Sequence, residues 1–168
     1  MTMLQTERLS MHLLTEADAP FILRLVNEPS WIRFIGDKGV RNLEDARRYL
    51  REGPLDMYAR CGFGLYLVTR KGDGTALGMC GLIKRDALPD VDIGFAFVPE
   101  SWGNGYAVEA ASRVLAHGRD DFGLRRIVAI TSLDNTASIR VLERVGMAFE
   151  RVIELAPNDS VKLFSRMF

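Results

Sequence analysis

The sequence is poor in the residues that build disulfide frameworks and metal sites. Its 168 residues include two cysteines, Cys61 and Cys80, and two histidines, His12 and His117. Two cysteines are too few for a disulfide framework and lack the spacing of metal ligands, while the histidines lie far apart in the chain. Cys80 stands in an apolar stretch, where a buried hydrophobic side chain is a better interpretation than a nucleophile. We therefore expect no disulfide scaffold and no metal site.

Net charge is absent as well. The 22 basic and 22 acidic side chains cancel, and no basic stripe is interleaved with aromatic residues. This balance argues against nucleic acid and against an anionic membrane surface as partners. The first twenty residues contain no uninterrupted apolar run, which argues against a signal peptide or a membrane span. We predict a cytoplasmic protein whose partner is a small molecule or a peptide.

Length and composition favour one globular domain over residues 1–168. Hydrophobic residues make up 48% of the chain and charged residues 26%. These proportions are typical of a chain that buries a sizeable core, and the length leaves little room for a second domain.

The most informative stretch is the segment 91–115. Large apolar residues alternate with mostly small ones up to Val98, which predicts a β-strand, and Pro99 ends it. Residues 101–105 then read Ser-Trp-Gly-Asn-Gly and predict a short turn. From Ala107 onward, apolar residues recur at helical spacing, so a helix that packs one face on a core follows the turn.

A glycine-rich turn at the start of a helix is suited to binding phosphate. The N–H groups of the first turn are unpaired, the helix dipole favours negative charge, and glycines let a ligand approach the backbone. A P-loop is excluded, because the helix begins Gly105-Tyr106-Ala107 instead of Gly-Lys-Ser/Thr. A dinucleotide fingerprint would need a small residue in place of Val108 and an acidic residue at the end of the next strand. Two interpretations stay open, a phosphate cradle and a turn that is only a tight connection.

This stretch resembles the acetyl-CoA motif of the GNAT superfamily of N-acetyltransferases, Q/R-x-x-G-x-G/A directly after a strand. Gly105 and Ala107 match its small positions, and Trp102 replaces the usual Gln or Arg. The substitution is typical of a branch that resembles ribosomal-protein N-terminal acetyltransferases and carries the string W-G-x-G-Y-A-x-E-A. The residues from Trp102 to Ala110 match that string throughout.

A second motif supports the resemblance. The run from Asn135 to Met147 is similar to the family's N-x-x-S-x-x-x-x-x-x-x-G-F segment, with Met147 in place of the aromatic residue. Helical spacing puts Ser138 on the same inward face as Leu142, where a hydroxyl needs a partner. Taken alone, the motif is better explained by Asn135 as an N-cap and by Ser138 bonding back to the start of its own helix. Beside the glycine-rich turn, we favour a functional role.

The remaining pattern predicts a mixed α/β (α+β) fold in one GNAT-like domain. We expect a central mixed sheet of about seven strands, antiparallel in its N-terminal half, splayed between the fourth and fifth strands and flanked by about four helices. The hairpin signal is Lys71–Gly74. The predicted strands are Arg8–Leu14, Phe63–Thr69, Ala76–Lys84, Val91–Val98, Arg126–Thr131, Ala148–Leu155 and Val161–Met167. The predicted helices run from Thr15 to Asn27, from Asn42 to Gly53, from the glycine-rich turn to Gly123 and from Asn135 to Val145.

The resemblance implies that acetyl-CoA lies where the strands ending at Val98 and near Thr131 part. The backbone of Phe97 and Val98 would hold the pantetheine arm, the N–H groups of the turn would bind the pyrophosphate, and Asn135 would bond the arm from the other side. The implied cofactor-binding residues are Phe97, Val98, Trp102, Gly103, Asn104, Gly105, Tyr106, Ala107, Asn135 and Ser138. No metal is implied.

The implied reaction is acetyl transfer from acetyl-CoA to a primary amine, on a protein N-terminus or a small molecule, by direct attack in a ternary complex. By its motif position Ser138 would protonate the departing thiolate, with Tyr106 as second choice. For the base we choose Asp92, on the small-residue face of its strand; another carboxylate or water is the alternative. Glu109 is better explained as tying down the first turn of its helix.

Three alternatives stay open from the sequence. The chain could be a non-catalytic acyl-CoA-binding or regulatory module of the same fold. The aromatic segment with Trp31 and Phe34 could form a substrate rim or simply cover the core. The protein could act as a monomer or as a homodimer.

Overall fold

A computed structural model describes residues 2–168, with side chains from Met3 onward. The fold is built on one mixed β-sheet. Neighbouring strands from β1 to β5 are antiparallel, β5 and β6 are parallel, and β8 lies antiparallel between β6 and β7. The sheet order is β1-β2-β3-β4-β5-β6-β8-β7. The strands are β1 (Thr2–Gln5), β2 (Leu9–Leu13), β3 (Leu65–Arg70), β4 (Ala76–Ile83), β5 (Asp92–Phe97), β6 (Arg126–Ser132), β7 (Ala148–Ala156) and β8 (Asp159–Met167).

The predicted mixed sheet with an antiparallel N-terminal half is confirmed. The hairpin at Lys71–Gly74 joins β3 to β4 as expected, with Arg70 N donating to Thr75 O at 2.9 Å. The described residues form eight strands where the sequence predicts about seven. The additional strand is β1, whose four residues are too few to show a periodic pattern.

The helices bracket the sheet on both sides. They are α1 (Ala19–Leu25), α2 (Pro29–Phe34), α3 (Leu43–Leu50), α4 (Asp56–Cys61), α5 (Tyr106–Phe122) and α6 (Thr136–Arg144). Short 3-10 turns cover Glu16–Asp18 and Pro99–Ser101, and a π-helical turn, Arg51–Leu55, joins α3 to α4. In the described part of the chain, no helix is both long and apolar enough to cross a membrane.

Two of these helices were not predicted. The segment of α2 was expected to be an irregular connection, and the helix before α4 was expected to end at Gly53. Pro29 occupies the first position of α2, where its missing N–H is no loss, so the proline begins a helix as well as separating two. Gly53 lies inside the π-helical turn, and helical structure continues to Cys61. It ends at Gly62, whose φ of +79° is a left-handed conformation that favours glycine.

Each face of the sheet has its own core. On the face covered by α5 and α6, called the α5 face below, Ile93 and Phe97 of β5 pack with Leu115. On the opposite face, called the α3 face, Ala96 packs with Leu50 and the other buried residues of α1 to α3. Alternation along β5 therefore directs even-numbered residues, including Asp92, to the α3 face.

Cys80 lies in the sheet interior, as the sequence predicts. It is fully buried, and burial raises the pKa of its thiol well above the ordinary value. A thiol held protonated in this way is a hydrophobic core residue and a poor nucleophile.

Candidate functional site

The candidate site lies at the edge of the sheet where β5 and β6 end. Because the two strands are parallel, their C-terminal ends meet at one edge, and α5 and α6 both begin there. Among the described residues the strands pair at Asp92 and Val128, with Val128 N donating to Val91 O at 3.0 Å. Beyond this point the described residues of β5 and β6 no longer pair, which leaves a gap on the side of the edge that carries the two helix N-termini.

The turn between β5 and α5 is open to a ligand. Gly103 and Gly105 have φ of +80° and +78°, left-handed conformations that few other residues adopt. A Cβ built on Gly103 would meet no atom within 4 Å. None of the backbone N–H groups of residues 103–108 donates a hydrogen bond within residues 2–168; the first intrahelical bond comes from Glu109 N to Gly105 O. This run of free donors at a helix N-terminus is an anion-binding arrangement.

Two side chains of the turn hold its shape. The indole Nε1 of Trp102 donates to Phe97 O at 2.9 Å and so ties the turn to the end of β5. Asn104 Nδ2 donates to the carbonyl oxygens of Ser101 and Trp102, at 3.0 and 3.2 Å. Both residues were predicted to bind cofactor, and the contacts they make here are internal to the turn, with more than half of the Trp102 side chain left exposed.

Glu109 fixes the first turn of α5 from outside. Its carboxylate accepts hydrogen bonds from Arg8 N at 2.9 Å, from Arg8 Nε at 2.7 Å and from the Thr6 hydroxyl. Burial alone would raise the pKa of Glu109, but these bonds and the Arg8 charge hold it below its usual value. The structural role predicted for Glu109 agrees with these contacts. Arg8 also stacks on the Tyr106 ring, 4.7 Å from its centroid, and approaches Gly105.

At the end of β5, only some of the backbone N–H and C=O groups point toward the gap between β5 and β6. Val98 N donates to Leu77 O at 2.9 Å, and Val98 O accepts from Ser101 N at 3.0 Å, so both polar groups of Val98 are engaged. Residues of an antiparallel ladder alternate in direction, so the backbone of Phe97 and of Phe95 points away from β4 toward the gap. Phe95 was missed from the sequence because its availability depends on the register between β4 and β5.

Asn135 and Ser138 lie at the start of α6, across the gap from the turn. Asn135 Oδ1 accepts the Ser138 N–H at 3.2 Å and caps the helix. Ser138 is half-buried on the side of α6 that carries the buried Leu142. Its hydroxyl makes no hydrogen bond within the part of the chain that the structure describes, so it is available to a ligand.

Asp92 is almost fully buried on the α3 face, at the point where β5 and β6 part. Its Oδ2 accepts from Arg85 Nε at 2.7 Å, and its Oδ1 is buried without a partner in the described chain. Burial raises the pKa of Asp92, and the Arg85 charge and hydrogen bond oppose that rise. The pairing with Arg85 was missed from the sequence, since side-chain periodicity does not show which residues at the two ends of the β4–β5 turn come into contact.

The aromatic segment lies on the α3 face near the mouth of the gap. Trp31 is buried in the α3-face core, so the core interpretation applies to it, while Phe34 is half-buried. Arg33 Nη2 contacts Asp134 Oδ2 at 3.3 Å and links α2 to the loop that precedes α6. The aromatic segment, which belongs to the N-terminal half of the chain, is thus in contact with Asp134, the residue next to Asn135.

Known proteins share this architecture and much of the sequence pattern. The chain is 29% identical over 154 residues to the uncharacterized N-acetyltransferase YoaA of Bacillus subtilis, covering 89% of this chain and 85% of YoaA. A GNAT-family acetyltransferase structure from Bacillus anthracis superposes with a TM-score of 0.81 at 25% identity, over 97% of this chain and 96% of that one. The structure of RimL, a ribosomal L7/L12 alpha-N-protein acetyltransferase in complex with coenzyme A, has a TM-score of 0.85 at 18% identity, over 100% of this chain and 98% of RimL.

A family model assigns the sequence directly. The model of the acetyltransferase (GNAT) domain matches residues 8–148, which include the glycine-rich turn, the parting of β5 and β6, and the start of α6. The expected resemblance is therefore confirmed over most of the chain. This chain belongs to the GNAT acetyltransferase family, and it is an acetyl-CoA-dependent acetyltransferase.

Proposed function

We propose that this acetyltransferase transfers the acetyl group to a primary amine, on a protein N-terminus or a small molecule, by direct attack in a ternary complex. The observation that carries the proposal is the gap between β5 and β6, because it connects the two faces of the sheet. Donor and acceptor can then approach from opposite faces and meet where the strands part. RimL, which is named as an alpha-N-protein acetyltransferase, has the same fold, in keeping with amine acceptors.

The chain's own groups fit an acyl-CoA donor. The free N–H groups of residues 103–108 offer donors to a pyrophosphate, and the open space at Gly103 leaves room for it. The backbone of Phe95 and the N–H of Phe97 can bind the amides of an extended arm, while the Phe97 carbonyl is engaged by Trp102. In the proposed site Val98 and Ala107 form walls, and Asn135 lies on the opposite side. Bound acetyl-CoA supplies an activated acyl group as a thioester.

Two side chains are assigned to proton transfer. The amine nitrogen forms a bond to the acetyl carbon, and the carbon–sulfur bond breaks with its electron pair going to sulfur. We assign to Ser138 the donation of a proton to that sulfur, because its hydroxyl is free in the described chain and lies on the side of α6 that carries the buried Leu142. We assign to Asp92 the acceptance of the proton that the amine loses, since burial raises its pKa toward the working range of a base.

An assay of thiol release from acetyl-CoA tests the function. A panel should contain peptides with free N-termini, amino acids, polyamines and other small amines, each with an N-acetylated form as its control. We expect thiol release that depends on the free amine and a product heavier by one acetyl group. Coenzyme A binding without amine-dependent thiol release would contradict the proposal and favour a non-catalytic acyl-CoA-binding module.

A further inference from the structure

A cationic cluster lies beside Asp92, outside the donor site. Arg85 follows β4 directly and donates through Nε to Asp92 Oδ2 at 2.7 Å. The turn that carries it is fixed by Lys84 Nζ, which donates to the carbonyl oxygens of Arg85 and Leu88 at 2.9 and 2.6 Å. The Arg85 side chain stays 37% exposed, and its two Nη groups donate no hydrogen bond to residues 2–168. Arg85 therefore has the end of its guanidinium fork available to a ligand.

Lys38 adds a second cation to the cluster. It lies in the loop between α2 and α3 and forms no ion pair with any described residue. Lys38 is exposed to solvent, but desolvation by the surrounding protein and the neighbouring charge of Arg85 both lower its pKa. Nearby carboxylates are engaged with other cations: Asp37 with Arg41, Asp90 with Arg126, and Asp86 close to Arg60. Arg85 and Lys38 thus repel each other, and of the two only Arg85 is paired with the carboxylate of Asp92.

An apolar cavity of about 150 Å³ lies near Arg85, since Ile83, two residues before Arg85, is one of its lining residues. The charge of Arg85 acts on Tyr49 in its wall, although burial dominates there and raises the pKa of Tyr49 to about 12. The lining residues, from α3, the π-helical turn, α4 and the neighbouring strands, are Tyr49, Gly53, Pro54, Met57, Leu65 and Ile83. The cavity is therefore lined mainly by apolar side chains and lies within reach of the charge of Arg85.

Gly94 connects the cavity to the reaction region. A Cβ on Gly94 would lie 3.1 Å from Ile83 Cδ1 and 3.7 Å from Leu65 Cδ2, and both of these residues line the cavity. Gly94 follows Asp92 by two residues and so lies on the same face of β5. The cavity, the surface of β5 at Gly94 and the pair of Asp92 with Arg85 therefore lie on the α3 face, opposite the face that α5 covers.

We propose that this surface is the acceptor subsite, and that the acceptor is a small amine carrying a carboxylate or a phosphate beside an apolar group, as an amino acid does. The inference rests on the proposed amine acetyltransferase function. The planar fork of Arg85 matches a carboxylate or a phosphate, and Lys38 adds a point charge. The apolar group occupies the cavity, and the amine is thereby held near Asp92 at the parting of the strands.

Matched pairs of amines test the substrate class. L-Leucine is compared with isopentylamine, which lacks only the carboxylate, and phosphoethanolamine with ethanolamine. We expect kcat/KM to be about tenfold higher or more for the anionic member of at least one pair, since charged hydrogen bonds to the Arg85 fork are lost in the other. The two pairs distinguish a carboxylate from a phosphate. Equal or better acetylation of the uncharged partners would overturn the inference and leave the proposed function standing.

Variants of Lys38 test the site itself. Lys38→Met keeps length and removes the charge at an exposed position, so the fold should be unaffected. We expect KM for the anionic amine to rise about tenfold, with KM for acetyl-CoA and for isopentylamine unchanged, and Lys38→Arg to restore binding. Lys162→Met, on β8 beside Phe149, is the control for losing a lysine elsewhere. Unchanged KM in Lys38→Met would overturn the inference. Failure to acetylate any amine despite coenzyme A binding would instead refute the proposed function and this inference together.

Discussion

Substituting Gly105 is the most direct test of the donor site. The residue stands at the start of α5 with φ of +78°, and it is flanked by the free N–H groups proposed to bind the pyrophosphate. Gly105→Asp places a carboxylate where those phosphates would lie. Two unit charges about 4 Å apart repel by about 1 kcal/mol in water and about 4 kcal/mol at an effective dielectric constant of 20. A Cβ here would also lie 3.4 Å from Arg8 Nη2, which would offset part of the repulsion.

We therefore set the expected loss of coenzyme A affinity in Gly105→Asp at about 1.4 kcal/mol or more, which is about tenfold. Calorimetry with coenzyme A measures it. Gly105→Asn has nearly the same shape, tolerates the left-handed conformation and carries no charge, so it should lose less. Gly74→Asp, in the β3–β4 hairpin with φ of +72° and an open surrounding, controls for backbone strain and added charge. Unchanged affinity in a folded Gly105→Asp protein would refute the phosphate cradle.

The remaining predictions concern the reaction and the acceptor side. Ser138→Ala should reduce turnover by about 10- to 100-fold with little change in coenzyme A affinity, because thiolates leave well even without an acid; an unchanged kcat would remove Ser138 from the mechanism. Asp92 has a raised pKa, so the acid limb of the wild-type rate profile should lie above the ordinary carboxylate range. Asp92→Asn should lose that limb and keep activity only at alkaline pH, where the amine is neutral, and a wild-type profile would assign the proton to water or another carboxylate. Phe34→Ala should change KM for the amine and leave KM for acetyl-CoA nearly constant, whereas equal effects on both would make Phe34 a core residue.

The fold was predictable from the sequence wherever side-chain periodicity and turn residues agreed. The strand up to Phe97, the hairpin at Lys71–Gly74 and the helix ending at Gly123 all combine a clear period with a glycine or proline at the boundary. Periodicity gave no signal for β1 and α2, which are too short to repeat a pattern. Pro29 is ambiguous by nature, because a proline that separates helices is equally favourable as the first residue of the next one.

The parts of the candidate site that are contiguous in sequence were predictable, and those that depend on residues distant in the chain were not. Residues 102–107 are one continuous segment, the turn and the first two residues of α5, so their own sequence determines their conformation and the exposure of their N–H groups. The partners of Glu109 could not be predicted, because Thr6 and Arg8 lie about a hundred residues away along the chain. The pairing of Asp92 with Arg85 depends on the β4–β5 turn in the same way.

The parallel pairing of β5 and β6 explains why the candidate site lies at the edge of the sheet where these two strands end. In an antiparallel pair, the helices after β5 and β6 would begin at opposite edges, and their free N–H groups could not face one ligand. Pairing confined to Asp92 and Val128 is equally necessary, because a full ladder would use the backbone of Phe95 and Phe97 and close the gap. The two C-terminal strands compensate, since β8 bonds to β6 along its whole length and supports it on the side away from the gap. The unpaired backbone that we propose to bind the donor is thus held in place by the strand ladders on either side of it.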